Sequence, residues 1–251
     1  DLAPTDGLLR PIDEREVEIV FADQTVGPLT LQQRGLAAMI NATAATTMAR
    51  ELLGEAFRAD VCARALAAVR PPFGRGEVID ADGAPLELVL VKNPAAFTAA
   101  LGTYAGTGTP VRTMIAINDD YADGRDVSWL YDVSFDVLGR PADGKPPLGC
   151  AVTSGVRAYD MALRLAYDDI ATDTVEPDLD RALTHFLSAY PTEPKRIFTT
   201  YTAMLALRQW GEKHGLGVPP NPVLVDRRDH RPIGQISIRG HDDRVLKIGR
   251  A

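Results

Sequence analysis

Thr113-Met-Ile-Ala-Ile117 is a short run of apolar and β-branched residues, and Asn118-Asp-Asp-Tyr-Ala-Asp-Gly-Arg-Asp-Val-Ser-Trp-Leu-Tyr-Asp132 follows it directly. The first piece reads as a buried strand and the second as the loop at its end. A strand with no polar face suits a parallel sheet covered on both sides, where each face of every strand is dry. Five carboxylates, Asp119, Asp120, Asp123, Asp126 and Asp132, crowd the loop beside Trp129 and Tyr131. Like charges packed this tightly repel, and solubility alone does not require them. Open α/β sheets place their chemistry in loops past the carboxyl ends of strands. The loop is the first place to look for function.

Outward from this strand the same pattern recurs. Residues 86–91 form a continuous apolar run, and Pro94–Tyr104 reads as a helix opened by proline. Residues 150–153 and 196–199 read as strands, and residues 156–167, 178–190 and 202–214 as helices. Buried strands alternating with helices predict an α/β fold, a Rossmann-like, mostly parallel sheet with flanking helices. Upstream, residues 17–21 and 29–32 suggest two strands joined by a Gly-Pro turn. Leu36–Leu53 then reads as a helix ending at Gly54, and residues 55–69 as a second one stopped by Pro71-Pro72. The Pro-Pro-Phe-Gly stretch is the best boundary, dividing the chain into segments 1–70, 71–215 and 216–251. The last segment is rich in Pro and Arg, with short candidate strands at Val223–Val225, 235–238 and 245–248. It is either an appended β-element or a partly ordered tail.

Composition narrows the function. The chain has 251 residues, 45% hydrophobic and 24% charged, with a formal charge of −7. An acidic balance argues against a general nucleic-acid binder, which needs a basic face. No apolar run approaches the ~20 residues of a membrane-spanning helix. The two cysteines, Cys62 and Cys150, sit in apolar surroundings far apart in sequence and read as small buried hydrophobes in a reducing compartment. The four histidines (His185, His214, His230, His241) have no ligand spacing, so no zinc and no other protein-held metal is expected.

Four further stretches carry chemistry, each beside a plainer alternative. In Phe73-Gly-Arg75-Gly-Glu77, Arg75 either reaches a nucleotide phosphate across a hinge or is a solvated linker residue. In Lys92-Asn93-Pro94, Lys92 and Asn93 either face an anion at a helix N-terminus, or Asn93 is only its cap. In Ser154-Gly-Val-Arg157, Gly155 permits close backbone approach and Arg157 either pairs with one of the aspartates or is exposed. Thr199-Thr-Tyr-Thr202 marks a third strand-to-helix junction, where the hydroxyls either join the site or cap the helix. The acidic loop itself is a solvated turn, a Mg²⁺ site using one or two carboxylates, or the source of an aspartate that orients a histidine. No histidine or nucleophile in this chain is an obvious mate for that last role.

Together these pieces resemble the Mur ligase family, and within it the MurT-type synthetase subunits of lipid II isoglutaminyl synthases. The resemblance rests on Gly35-(Leu-Ala-Ala-Met-Ile)-Asn41-Ala, Gly74-Arg-Gly-Glu77, Lys92-Asn-Pro-Ala95, the loop 118–132, Ser154-Gly-Val-Arg-Ala158 with Met161-Ala-Leu-Arg-Leu165, and Tyr201-Thr202, in order over residues 35–210. It implies a cytoplasmic heterodimer, at most peripheral to the inner membrane face, that amidates the α-carboxyl of D-glutamate in lipid II. ATP and Mg²⁺ would form an acyl phosphate, and a GatD-like class I glutaminase would supply ammonia. By the family pattern Asp126 completes the partner's catalytic triad, while Arg75, Lys92 and Asn93 approach the nucleotide. Arg157 is a further substrate or nucleotide contact, and Asp123, Arg125, Trp129 and Asp132 shape the loop or meet the partner. No Gly-x-x-Gly-Lys-Thr phosphate loop is present, and no four-cysteine zinc ribbon. The resemblance therefore implies that residues 1–70 are the C-terminal part of a central ATPase domain, and that this chain alone does not ligate. An amino-acid-adding Mur ligase and a noncatalytic docking domain are the alternatives.

Overall fold

The computed structural model describes residues 6–71, 74–104, 111–139, 148–216, 223–225 and 232–235. A six-stranded sheet organises most of them. Strands β4 (Arg75–Ala81) and β5 (Ala84–Leu90) form an antiparallel hairpin; β6 (Arg112–Ala116), β7 (Cys150–Ser154), β8 (Thr172–Glu176) and β9 (Lys195–Thr199) run parallel to β5, in the order β4-β5-β9-β6-β7-β8. The expected mostly parallel sheet is therefore present, with an antiparallel strand at one edge. β6 and β9 lie at the centre, and every residue of β7 and β9 is buried.

Helices cover both faces. Helix α3 (Pro94–Tyr104), the short α4 (Asp136–Gly139) and α5 (Ala158–Tyr167) lie on one side, over a core containing Val89, Phe97, Ile115, Phe135 and Phe198. Helices α6 (Leu179–Ala189) and α7 (Tyr201–Lys213) cover the other, over Leu88, Met114, Phe186 and Ile197. Phe97 is fully buried and meets Phe135 edge-on at 5.2 Å, Phe198 at 5.3 Å and Trp129 at 6.4 Å. That cluster ties α3, the central strand and the far end of the acidic loop into one piece.

Strand β4 corrects the expected hinge at residues 73–77. Its residues alternate between exposed and buried, as an edge strand's do. The turn into β5 is Asp82-Gly83, with φ of 55° and 88°, and the Gly83 amide donates to Asp80 at 2.6 Å. An Asp-Gly pair with both φ positive is a favoured two-residue hairpin turn. Strand β8, Thr172-Asp-Thr-Val-Glu176, also goes beyond the expected elements.

The N-terminal part is a separate small layer pair. Strands β1 (Leu8–Pro11), β2 (Glu16–Val20) and β3 (Thr25–Thr30) form an antiparallel sheet, packed on α1 (Leu36–Leu53) and α2 (Ala59–Ala68) around Val17, Ile19, Val26 and Met39. Gly27-Pro28 lies within the edge strand β3 and is not the turn; that role falls to residues 22–24, closed by Phe21 N–H donating to Gln24 O at 2.8 Å. Proline is tolerated there because an edge strand has one unpaired side. The second helix is shorter than expected, beginning at Ala59 after a single 3₁₀ turn at Gly54–Ala56.

Arg34 joins the two parts. Its guanidinium meets Glu87 on β5 at 2.8 Å, and the other oxygen of Glu87 accepts from Arg196 on β9 at 2.9 Å. Glu87 and Arg196 are almost fully buried. Gln33 donates to the Arg75 carbonyl at 3.1 Å beside them. On the other face Arg208 of α7 reaches both oxygens of buried Glu77 at 2.9 and 2.7 Å, fixing the edge strand to the helix layer. In the tail, β10 (Val223–Val225) and β11 (Pro232–Gln235) pair antiparallel. The expected strand at 245–248 lies outside the described residues.

Candidate functional site

Three strand ends meet at the carboxyl edge of the sheet, and Asn118 clasps them. Its backbone N–H donates to the Thr200 hydroxyl at 2.9 Å, its side-chain oxygen accepts from Val156 N–H at 3.0 Å, and its side-chain nitrogen donates to the Thr202 hydroxyl at 3.1 Å. Backbone bonds close the same seam: Ile117 N–H to Ser154 O, Arg157 N–H to Ile117 O, and Thr200 N–H to Ala116 O. Gly155 takes a φ of +83°, and a Cβ there would fall 2.5 Å from the Ile117 carbonyl oxygen. Only glycine fits. The junctions at 118, 154–157 and 199–202, separate in sequence, are one site in space.

Within it the aspartates take different roles. Asp119 pairs with Arg157 at 2.7 Å, and Arg157 also reaches Asp160 at 3.4 Å. The Asp119 carboxylate raises the guanidinium's pKa further, chiefly by hydrogen bonding. Asp123 is buried and accepts from the Thr202 backbone N–H at 2.8 Å and from the Thr202 hydroxyl. Those groups lie in the first turn of α7, whose N-cap residue, Thr200, makes no side-chain cap bond of its own. Asp123 thus caps the helix from a distant loop, where a carboxylate also complements the helix dipole. Burial, helped by the charge of Asp123, pushes the neighbouring Tyr201 hydroxyl above its usual pKa.

Asp126 faces outward. It is exposed, and its Oδ1 accepts from the Ser128 N–H at 2.8 Å. Hydrogen bonds from the Ser128 side chain and amide hold its carboxyl below the usual range. Neither described histidine lies at the loop: His214 ends α7, stacked 4.0 Å from Trp210, about 18 Å along the helix from its start, and His185 faces Thr174. Arg125 and Asp132 are exposed, while Trp129 is half-buried against Phe97. Among the described residues no group of three His, Cys, Asp or Glu could hold a metal ion.

A second feature lies between the two parts of the chain. A cleft of about 660 Å³ runs between the start of α1 and the β4–β5 hairpin with α3, lined by Gly35, Leu36, Asn41, Arg75, Leu90 and Ala96 among others. Its volume falls in the usual range for small-molecule sites, ~300–1,000 Å³. Arg75 is exposed at its wall, and Asn41 also lines it. Lys92 and Asn93 are exposed just past β5 and are not among the lining residues; Asn93 caps α3 by accepting from Ala96 N–H at 2.8 Å. The sequence reading missed Asn118, Glu77 and Glu87. An asparagine directly after a strand was the available signal for the first; a lone Glu within an apolar strand was the signal for Glu87.

Comparison with known proteins bears on the fold and the family. Residues 90–204 match the family described as MurT ligase C-terminal. The MurT subunit of lipid II isoglutaminyl synthase from Streptococcus pneumoniae is 30% identical over 181 residues, covering 71% of this chain and 38% of that protein. The corresponding subunit of Staphylococcus aureus is 34% identical over 94 residues, 37% of this chain and 20% of that one. The chain thus spans well under half the length of these relatives. Among solved structures, a pseudomurein peptide ligase of Methanothermus fervidus superposes with a TM-score of 0.59 at 15% identity, over 82% of this chain and 41% of its own. MurF of Acinetobacter baumannii gives 0.56 at 15% identity, over 82% and 43%. These share the fold. Residues 90–204 thus carry the likeness to the MurT ligase C-terminal family.

Proposed function

We propose that the chain is part of the synthetase subunit of a glutamine-dependent lipid II isoglutaminyl synthase, with Asp126 acting on a histidine of a separate GatD-like class I glutaminase. The observation that carries this is the placement of Asp126: exposed, oriented by a hydrogen bond from Ser128, and set on a loop locked at both ends. An ionised carboxylate held in that way can fix the tautomer of an imidazole and stabilise its protonated form. Its partner imidazole comes from another polypeptide.

On this reading residues 1–70 are the C-terminal part of a central ATPase domain, 71–215 the C-terminal domain and 216–251 an extension. The cleft beside α1 fits part of a nucleotide: Leu36, Leu90 and Ala96 give apolar walls for a base, Asn41 a hydrogen-bonding group, and Arg75 a fixed positive charge for phosphate. ATP supplies the phosphoryl group that turns a carboxylate into an acyl phosphate, which ammonia converts to an amide as phosphate leaves. Mg²⁺ would arrive on the phosphates rather than in a cage of this chain's carboxylates. The substrate, the α-carboxyl of D-glutamate in lipid II, places the work at the cytoplasmic membrane face. No described helix is long and apolar enough to cross a membrane.

Co-purification with the class I glutaminase of the same genome tests the reading. The two should elute together, and Asp126→Asn should leave the complex intact while lowering glutamine hydrolysis steeply. An unchanged hydrolysis rate in the variant complex would reject the triad role.

A further inference from the structure

Arginine is seldom buried, yet Arg164, on the inward face of α5, is only 7% exposed. It lies in Met161-Ala-Leu-Arg-Leu165, a stretch that the reaction proposed above leaves without a role. Its guanidinium makes three contacts. Nε donates to the Leu130 carbonyl at 3.1 Å, Nη2 donates to the Val133 carbonyl at 2.8 Å, and Nη1 pairs with Asp168, one turn along the helix, at 2.8 Å. Its central carbon lies 5.2 Å from the centre of the Phe135 ring and 5.8 Å from that of Tyr131. A lysine could supply the charge opposite Asp168, but not a planar fork that meets two carbonyls at once.

Those two carbonyls belong to the turn that follows Asp126. Ser128–Asp132 is a single 3₁₀ turn. At its start Ser128 N–H donates to Asp126 Oδ1 at 2.8 Å, and Leu130 N–H donates to the Val127 carbonyl at 3.0 Å. At its end Val133 N–H reaches the Leu130 carbonyl only at 3.4 Å, and Arg164 binds both that carbonyl and the one at Val133. The near end of the loop is tied to the same helix. Arg157, seven residues or about two turns before Arg164, pairs with Asp119 at 2.7 Å. Helix α5 therefore holds the loop at two points, and in sequence Asp126 lies in the span between them. An exposed carboxylate that must meet an imidazole on a separate polypeptide is aimed by its own backbone, so what fixes that backbone fixes the aim.

We propose that Arg164 is a positioning residue for Asp126: by gripping the Leu130 and Val133 carbonyls it fixes the 3₁₀ turn, and through Ser128 the turn sets the direction of the Asp126 carboxylate. This inference rests on the functional reading of the preceding section and adds which buried side chain sets the geometry that reading needs. Arg164 acts only through Asp126. A guanidinium that merely stapled α5 to the loop would change the melting temperature and leave the rate per folded complex alone. One that aims Asp126 changes how fast bound glutamine is hydrolysed, and does so only while the carboxylate is there.

The test measures glutamine hydrolysis by the complex of the full chain with the purified class I glutaminase of the same genome, for wild type, Arg164→Lys, Asp126→Asn and the double variant. Arg164→Lys should lower kcat about 100-fold, the scale of a displaced catalytic group, and leave KM for glutamine within about twofold. In the Asp126→Asn background the same substitution should have no further effect, because the carboxylate it aims is already gone. An unchanged kcat in a folded Arg164→Lys complex overturns the proposal, and so does an equal loss in both backgrounds; either result leaves the reading of Asp126 standing. If Asp126→Asn itself hydrolyses glutamine at the wild-type rate, the functional reading falls and this inference with it. Hydrogen exchange on the wild-type chain without partner needs no variant, and decides the matter if Arg164→Lys does not fold. The amides of Ser128, Leu130 and Val133 should be protected before any partner is added. Exchange there as fast as in an unfolded peptide would show that the turn is not held, which also overturns the proposal.

Discussion

The loop after β6 and the cleft beside α1 both border the carboxyl end of the sheet, yet they are built in opposite ways. In the loop, polar groups are bound to one another: Asn118, Asp119 and Asp123 each answer a named partner, while Asp126 is exposed with its carboxylate fixed by Ser128. The cleft is open and mostly apolar, and what defines it is a pair of ionic contacts behind it, Arg34 to Glu87 and Glu87 to Arg196. A locked loop suits presenting one group to a partner at fixed angle. An open cleft walled by two separate layers suits a ligand that is itself large. On the proposed reading the first makes the protein contact and the second the small-molecule contact.

The largest effect of a substitution on stability should come from breaking the cleft's support. Glu87→Gln removes the carboxylate that half-buried Arg34 and buried Arg196 share, and urea unfolding should show a loss of about 3 kcal/mol. A loss below about 1 kcal/mol would mean the two layers are held chiefly by apolar contact. Next, Arg75→Ala should weaken binding of Mg-ATP about tenfold, roughly 1.4 kcal/mol, without changing the melt; equal affinity would remove the nucleotide from this cleft. Asp123→Asn should cost about 1 kcal/mol by weakening the cap on α7, seen as a lower urea midpoint.

A further test concerns the far end of the sheet. Burial pushes the Cys150 thiol up to about 12 from an ordinary 9.0, so the folded chain keeps a proton the unfolded chain gives up. Stability should accordingly decline as pH climbs from 9.0 towards 12, and not below. At pH 8 a thiol reagent should label the half-buried Cys62 and reach Cys150 only on unfolding. Rapid labelling of both would show that β7 opens readily, and would weaken the claim that the sheet beneath the loop is rigid.

How much of this was legible depends on where the information lies. The central strands were readable because burial on two faces leaves continuous apolar runs, such as Met114-Ile-Ala-Ile117. Strand β8 was not, since Thr172-Asp-Thr-Val-Glu176 sits at an edge and carries polar residues that resemble a loop. Strand β4 begins with Arg75-Gly-Glu77, so its glycine spoke for a hinge, although Asp82-Gly83 carried a hairpin signal. The acidic loop was visible as a cluster, but Asp123 and Asp126 cannot be told apart by residue type. What separates them is Thr202, 79 residues beyond Asp123, and no local pattern encodes a contact over that distance.

That separation is the most direct point of attack. Glutamine hydrolysis by the complex should be compared for Asp123→Asn and Asp126→Asn, with a thermal melt on each. Asp126→Asn should lose about 10⁴-fold in hydrolysis, the scale of a triad aspartate, at an unchanged melting temperature. Asp123→Asn should melt lower and keep most of its hydrolysis at a temperature where it is folded. Hydrolysis near the wild-type rate in Asp126→Asn would contradict the account.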